Sequence, residues 1–337
     1  MTAMTQLARD DGRVDLARLG LEGEFTQLLL TPRFRTSRHV VALLFRRGAS
    51  DPELVVKLAR LGGDAAGIAR EASVLTTLAD DCPKLRETFP RVLAWAGGDE
   101  PFLLETALRG QLLSPRRLRA DSVGYISAVV DWLMALSATR HESGDASYER
   151  LLGEPLGTLA DAFPAGGPEQ ELVGRTVELV EPLRDSGVPH VVEHGDLAHP
   201  NLIWLDGTGV GVVDWELAEP DGLPLHDLLF FLAYATFALR RPRTDEERIA
   251  SFHNSFFAAE GWAKANVAAY LDNLGVDSEA LVPLFVACWA RYTAHLALRI
   301  AATPSRRLGD DALAWIRKNR HYALWAHTVT HIDELGS

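Results

Sequence analysis

One short stretch constrains the fold of this 337-residue chain more than any other. Between residues 191 and 215 it reads VVEHGDLAHPN, LIWL, DGTG and VGVVDW. These are two β-type runs joined by a turn, preceded by a loop that carries His194, Asp196 and Asn201 and closed by Asp214 within a valine run. An aspartate embedded among valines is costly to bury without a partner. A single histidine or asparagine near a turn most often bonds the local backbone, but the whole string points to chemistry. Phosphoryl transfer needs a carboxylate to orient or deprotonate the attacking hydroxyl, and oxygen ligands to hold Mg²⁺ on nucleotide phosphates. Asp196 suits the first task, and Asn201 and Asp214 suit the second.

The spacing also predicts a geometry. With Asp206–Gly209 as a four-residue hairpin loop, Leu205 faces Val210, and counting back along both strands sets Asn201 opposite Asp214. Directly opposed residues hold their side chains about 5 Å apart on one face. A loop of odd length would shift this register by one.

Around this island the chain reads as a small β-rich lobe followed by a larger helical one, an α+β organisation. Strands are expected at Gln27–Leu30, Val40–Phe45, Leu54–Ala59, Arg91–Trp95 and Phe102–Glu105, with a helix capped by Asp64 and running to about Ala79. Long helices dominate from Leu225 onward. The join is expected near Thr106–Gly110, giving lobes of residues 1–106 and 107–337. The hydrophobic share of 47% is enough for a large core and excludes a disordered chain. A net charge of -12 repels nucleic acid and anionic lipid, so neither is expected as a partner. Two distant cysteines, Cys82 and Cys288, form no CxxC pair, which argues against a zinc finger or a disulfide framework. The N-terminal residues lack an apolar core of signal-peptide length. The longest apolar run, Leu228 to Leu239, has twelve residues against the roughly 20 of a membrane span. A cytoplasmic protein is expected.

His194, Asp196, Leu197 and Asn201 match the kinase catalytic-loop spacing H-x-D-L-x-x-x-N. With Asp214–Trp215 at the end of a strand, the chain resembles the aminoglycoside phosphotransferase and choline kinase family, which has a bilobal protein-kinase-like fold. The resemblance implies ATP, with GTP not excluded, and Mg²⁺ as cofactors. It implies Asp196 and His194 in the catalytic loop, Asn201 and Asp214 at the metal, and a structural role for Asp227 at a helix start. A kinase fold also needs a strand lysine on the phosphates and a helix glutamate to fix it. Lys57 lies in LVVKLA and is one of only four lysines. Ile68, Glu71, Leu75 and Leu78 are spaced 3, 4 and 3 apart, which sets Glu71 on the apolar face of the next helix, where it needs a partner. The segment Thr31–His39 has no glycine; Thr36, Ser37 and backbone amides are its candidate phosphate contacts. From the resemblance, adenine is expected along the backbone of Leu104–Ala107, near Glu105 and Ala107.

Only twelve residues separate Asp214 from Asp227, with no A-P-E string after them. This argues for a small hydroxylated acceptor rather than a protein. Glu216, Glu219 and Asp221 form an acidic cluster suited to a cationic antibiotic or an amino alcohol; solvated surface explains such a cluster equally well. Trp289, Arg291, Tyr292 and His295 are further candidate lining. Two arginine clusters, Arg240, Arg241 and Arg243 in one and Arg116, Arg117 and Arg119 in the other, leave an anionic acceptor open. The function expected is O-phosphotransfer to a small molecule in antibiotic resistance or tailoring. The alternatives are a metabolic sugar or amino-alcohol kinase, and a nucleotide-binding pseudokinase.

Overall fold

The apolar alternation of the first hundred residues builds an antiparallel sheet. In the computed structural model, which describes residue 17 and residues 21–30, 39–59, 65–98, 100–141, 145–205, 209–300 and 310–335, its strands are β1 (Phe25–Leu30), β2 (His39–Arg46), β3 (Leu54–Ala59), β4 (Val92–Ala96) and β5 (Phe102–Thr106), in the order β1-β2-β3-β5-β4. Helix α1 (Ala66–Asp81) connects β3 to the β4–β5 hairpin. Side chains alternate across the sheet. On one face Ala42, Leu44, Leu54, Val56 and Leu104 form a core. On the other, Leu103 packs against Ile68 and Ala72 of α1. The expected helix cap Asp64 lies outside the described residues, as do Thr36 and Ser37.

A second sheet belongs to the same unit. Its order is β10 (Gly209–Val212), β9 (Leu202–Leu205) and β6 (Gly110–Leu112). Gly110 has φ +154°, and a Cβ there would lie 2.3 Å from the carbonyl oxygen of Trp204, so only glycine allows this strand approach. Because β9 pairs with β6, the segment Pro200–Ala218 returns to the first unit. The compact units are therefore Met1–Leu113 with Pro200–Ala218, and Ser114–His199 with Glu219–Ser337. An uninterrupted division at residue 106 overlooks this return.

The second unit is helical around a small sheet of β7 (Arg140–His141), β8 (His190–Glu193) and β11 (Glu219–Gly222), with β8 in the middle. Its helices are α2 (Pro115–Ala120), α3 (Ser122–Leu136), α4 (Asp145–Tyr148), α5 (Glu154–Ala162), α6 (Pro168–Val180), α7 (His226–Arg240), α8 (Asp245–Phe256), α9 (Trp262–Leu274), α10 (Leu281–Ile300), α11 (Asp310–Arg317) and α12 (Arg320–Thr330). Nearly all of α7 is buried, as its apolar run anticipates. Phe252, Phe256, Phe285 and Trp289 pack edge to face or tilted in the core between α8 and α10. The stretch Ser278–Leu298 is long and apolar enough to cross a membrane, but 72% of its most apolar window is buried inside the protein. Counting uninterrupted apolar residues overlooks it because Arg291 and His295 break the run. The bilobal, protein-kinase-like α+β class expected from the sequence is the class observed.

Candidate active site

Alternation along β3 turns Val56 into the sheet core and Lys57 toward α1. Lys57 Nζ donates to Glu71 Oε1 at 2.5 Å and to Asp214 Oδ1 at 3.2 Å. The same Glu71 oxygen accepts the amide hydrogen of Trp215 at 2.8 Å. One carboxylate thus joins β3, α1 and the residue after Asp214. Lys57 is 4% exposed and Glu71 fully buried, so the pair is screened from water and both orientations are fixed.

Glu105 makes this cluster more acidic than the sequence suggests. It is buried on β5, with Oε1 3.7 Å from Lys57 Nζ and no partner for Oε2. Burial pushes its carboxyl up to about 8, with Lys57 opposing and Glu71 adding to the rise. Burial also raises Glu71, against the pull of Lys57. For Lys57 burial acts the other way, but the three carboxylates outweigh it and hold the ammonium well above its ordinary value. His39 adds an imidazole to the group. Its Nδ1 lies 3.1 Å from Glu216 and its Nε2 3.9 Å from Asp214. Burial would lower this imidazole; the bond to Glu216 raises it.

The hairpin register differs from the one expected. Leu205 pairs with Gly209, not Val210, and Val210 pairs with Trp204. The connection is three residues long, so Asn201 meets Val213, whose amide donates to the Asn201 carbonyl at 3.0 Å. Asp214 follows outside the ladder with φ +71°. This left-handed step, rare for a non-glycine residue, re-aims the side chain toward Lys57 and His39. Strand alternation therefore does not govern Asp214, and the opposition of Asn201 and Asp214 is not formed.

The adenine contacts expected at Glu105 and Ala107 also meet an obstacle. Glu105 pairs with Val55 on one side and Val92 on the other, and the Ala107 amide donates to the Glu53 carbonyl at 2.9 Å. Glu105 thus lies between two paired strands, and the Ala107 amide is already taken just beyond the end of β5.

In the second unit the catalytic-loop sequence follows β8 directly. Asp227, in the first turn of α7, accepts the amide hydrogens of His194 at 2.5 Å and Gly195 at 2.9 Å. Burial raises Asp227 to about 7 even though these amides favour its charged form. His194 is fully buried, and its Nδ1 accepts the Asp196 amide hydrogen at 3.2 Å. This bond ties the imidazole to the backbone of the loop. Asp196 is left half-buried.

Beneath the loop lies a pair that the sequence did not reveal. Glu193 receives both ends of the Arg291 guanidinium, at 2.6 and 2.9 Å, and the Leu223 amide. Both side chains are buried. Arg291 is therefore not acceptor lining, and neither is fully buried Trp289. The acidic cluster is likewise engaged, since Glu219 pairs with Arg150 at 2.6 Å and Glu216 with His39. Each of these ion-pair partners lies over 60 residues away in sequence, beyond the reach of a local pattern.

The model of the phosphotransferase enzyme family matches residues 41–270. No curated protein matches the sequence. Among solved structures, the choline kinase LicA from Streptococcus pneumoniae is 11% identical, with 90% of this chain and 94% of that one covered and a TM-score of 0.56. A thermostable mutant of aminoglycoside phosphotransferase APH(4)-Ia, in a ternary complex with ADP and hygromycin B, is 13% identical over 93% and 96%, with a TM-score of 0.56. A Plasmodium vivax ethanolamine kinase is 10% identical over 92% and 84%, with a TM-score of 0.54. These three share the fold. The family match takes in Lys57, Glu71, the 194–201 loop, Asp214 and Asp227 within one continuous span, and the chain belongs to the phosphotransferase enzyme family.

Proposed function

We propose that this protein transfers the terminal phosphoryl group of ATP, with Mg²⁺, to a hydroxyl of a small molecule. The observation that carries the reading is Lys57 held between Glu71 and Asp214. Lys57 fixed in this way binds nucleotide phosphates. Asp214 and Asn201 are hard oxygen donors of the kind Mg²⁺ takes, so the residues present fit the ion. When bound, Mg²⁺ neutralises charge developing on the phosphate oxygens. Asp196 receives the proton of the acceptor hydroxyl as its oxygen bonds to phosphorus and the bond to the ADP oxygen breaks. Solved relatives with bound ADP or AMP support nucleotide as the donor. A GDP complex of another relative makes GTP the donor to compare with ATP. We propose the cytoplasm, and antibiotic inactivation or tailoring, as the setting. The test is acceptor-dependent ADP release, together with a mass gain of one phosphoryl group on the acceptor. Nucleotide binding without turnover across a broad set of hydroxylated compounds supports the pseudokinase reading instead.

Two results are expected within this scheme. Lys57→Ala and Glu71→Ala should each lower kcat/KM for nucleotide, and the double variant should lose less than the product of the two, because both act through one ion pair. Losses that multiply cleanly argue against that unit. Asp214→Asn should abolish detectable transfer, whereas Asn201→Ala should raise the Mg²⁺ concentration at half-maximal rate and keep residual activity. The charge of Asp214 offsets that of the ion; an amide oxygen cannot. Equal Mg²⁺ titrations for wild type and Asn201→Ala would remove Asn201 from the metal.

A further inference from the structure

Close to Asp196 in the second unit lies a group of side chains that the scheme above does not use. Arg320, the first residue of α12, is exposed, and its guanidinium carbon lies 4.3 Å from the centre of the Tyr234 ring on α7. Among the described residues it joins no carboxylate in an ion pair; its polar neighbour is His321, at 3.5 Å. Desolvation lowers its pKa, and the nearby carboxylate of Asp196 opposes that fall. The Tyr234 ring lies 6.3 Å from His199, three residues beyond Asp196, and 4.6 Å from Phe230. Phe230 stacks at 4.1 Å on Tyr292, whose buried hydroxyl has no hydrogen-bond partner and is influenced by the Asp196 charge. Tyr234, half-buried and backed by buried Phe230 and Tyr292, thus carries one arginine within electrostatic reach of the Asp196 carboxylate.

The charge balance of these helices is unusual for a site that would take a cation. Helices α7, α10 and α12 contain one carboxylate between them, Asp227, and it is engaged by two loop amides. Glu193 is matched by Arg291 and Glu219 by Arg150. A polyammonium acceptor would need carboxylates to replace its water, and the Arg320 charge would repel it. A carboxylate, in contrast, fits the planar guanidinium fork, and a flat ring fits beside the half-buried Tyr234, which buried Phe230 backs from the core.

We propose that the acceptor is a ring-bearing alcohol that also carries a carboxylate: the carboxylate is bound by Arg320, the ring lies against Tyr234, and the hydroxyl is presented to Asp196. This substrate class rests on the phosphotransferase reading and departs from the amino-alcohol and aminoglycoside names of the structural relatives. Three probes separate it from the alternatives: 4-(hydroxymethyl)benzoate, the neutral 4-(hydroxymethyl)benzamide and the cationic 4-(hydroxymethyl)benzylamine. Their binding is measured by ligand-observed NMR on the full chain, with Mg·ATP binding measured on the same samples. The benzoate should bind about tenfold or more tightly than the benzylamine, the scale of one charge-assisted contact. Arg320→Met should erase that preference, and Arg320→Lys should retain part of it. No preference for the benzoate, a preference for the benzylamine, or a preference unchanged in Arg320→Met overturns the proposal. Failure of the wild type to bind Mg·ATP overturns the phosphotransferase reading, which keeps the two failures distinct.

Discussion

Replacing Asp196 with asparagine is expected to leave folding and Mg-nucleotide binding intact and to lower turnover by about 10²–10⁴-fold, the range of general-base effects. The structure explains why the defect should be confined to chemistry. The loop backbone is held by other groups: Asp227 holds the His194 and Gly195 amides, and His194 Nδ1 holds the Asp196 amide. Asparagine keeps the size and the backbone bond and loses the proton acceptor. Steady-state rates with an acceptor, read beside nucleotide affinity, provide the measurement. Turnover within a few-fold of wild type would falsify the assignment of Asp196 as base.

The second large effect is expected at a residue outside the chemistry. Arg291→Leu leaves Glu193 buried with the Leu223 amide but without its cation, and breaking such a pair typically costs about 3–5 kcal/mol. Glu193 ends β8 immediately before His194, so partial unfolding should begin beneath the catalytic loop. Urea denaturation of both proteins tests this, and equal midpoints would discard it. The double variant Glu193→Leu with Arg291→Leu should recover much of the loss, because a matched apolar pair removes the stranded charge.

How far the sequence reached depends on the range of each interaction. Lys57 and Glu71 were legible because strand and helix periodicities are local, and a charged residue on each buried face requires the other. The five strands of the first sheet were legible for the same reason. The β9–β10 register was not: DGTG accommodates a three- or a four-residue connection, and one residue decides which partner Asn201 meets. The left-handed turn at Asp214 is invisible to an alternation argument that assumes an extended backbone. The sequence points to the backbone of Glu105, whereas burial beside Lys57 makes its side chain the notable part. Arg291 reads as candidate acceptor lining because nothing nearby in sequence reveals a partner 98 residues away.

The scarcity of lysine gives the Lys57 arrangement a chemical consequence. Amine-directed acylating reagents attack the uncharged amine, and they need access to it. Lys84 and Lys318 are exposed and Lys264 is half-buried, so their side chains should take up label readily. Lys57 is both enclosed and held in its charged form, which makes it the protected amine of the four. Acylation at Lys57 then records separation of α1 from β3, and peptide mapping of the label converts that movement into a single mass-resolved signal.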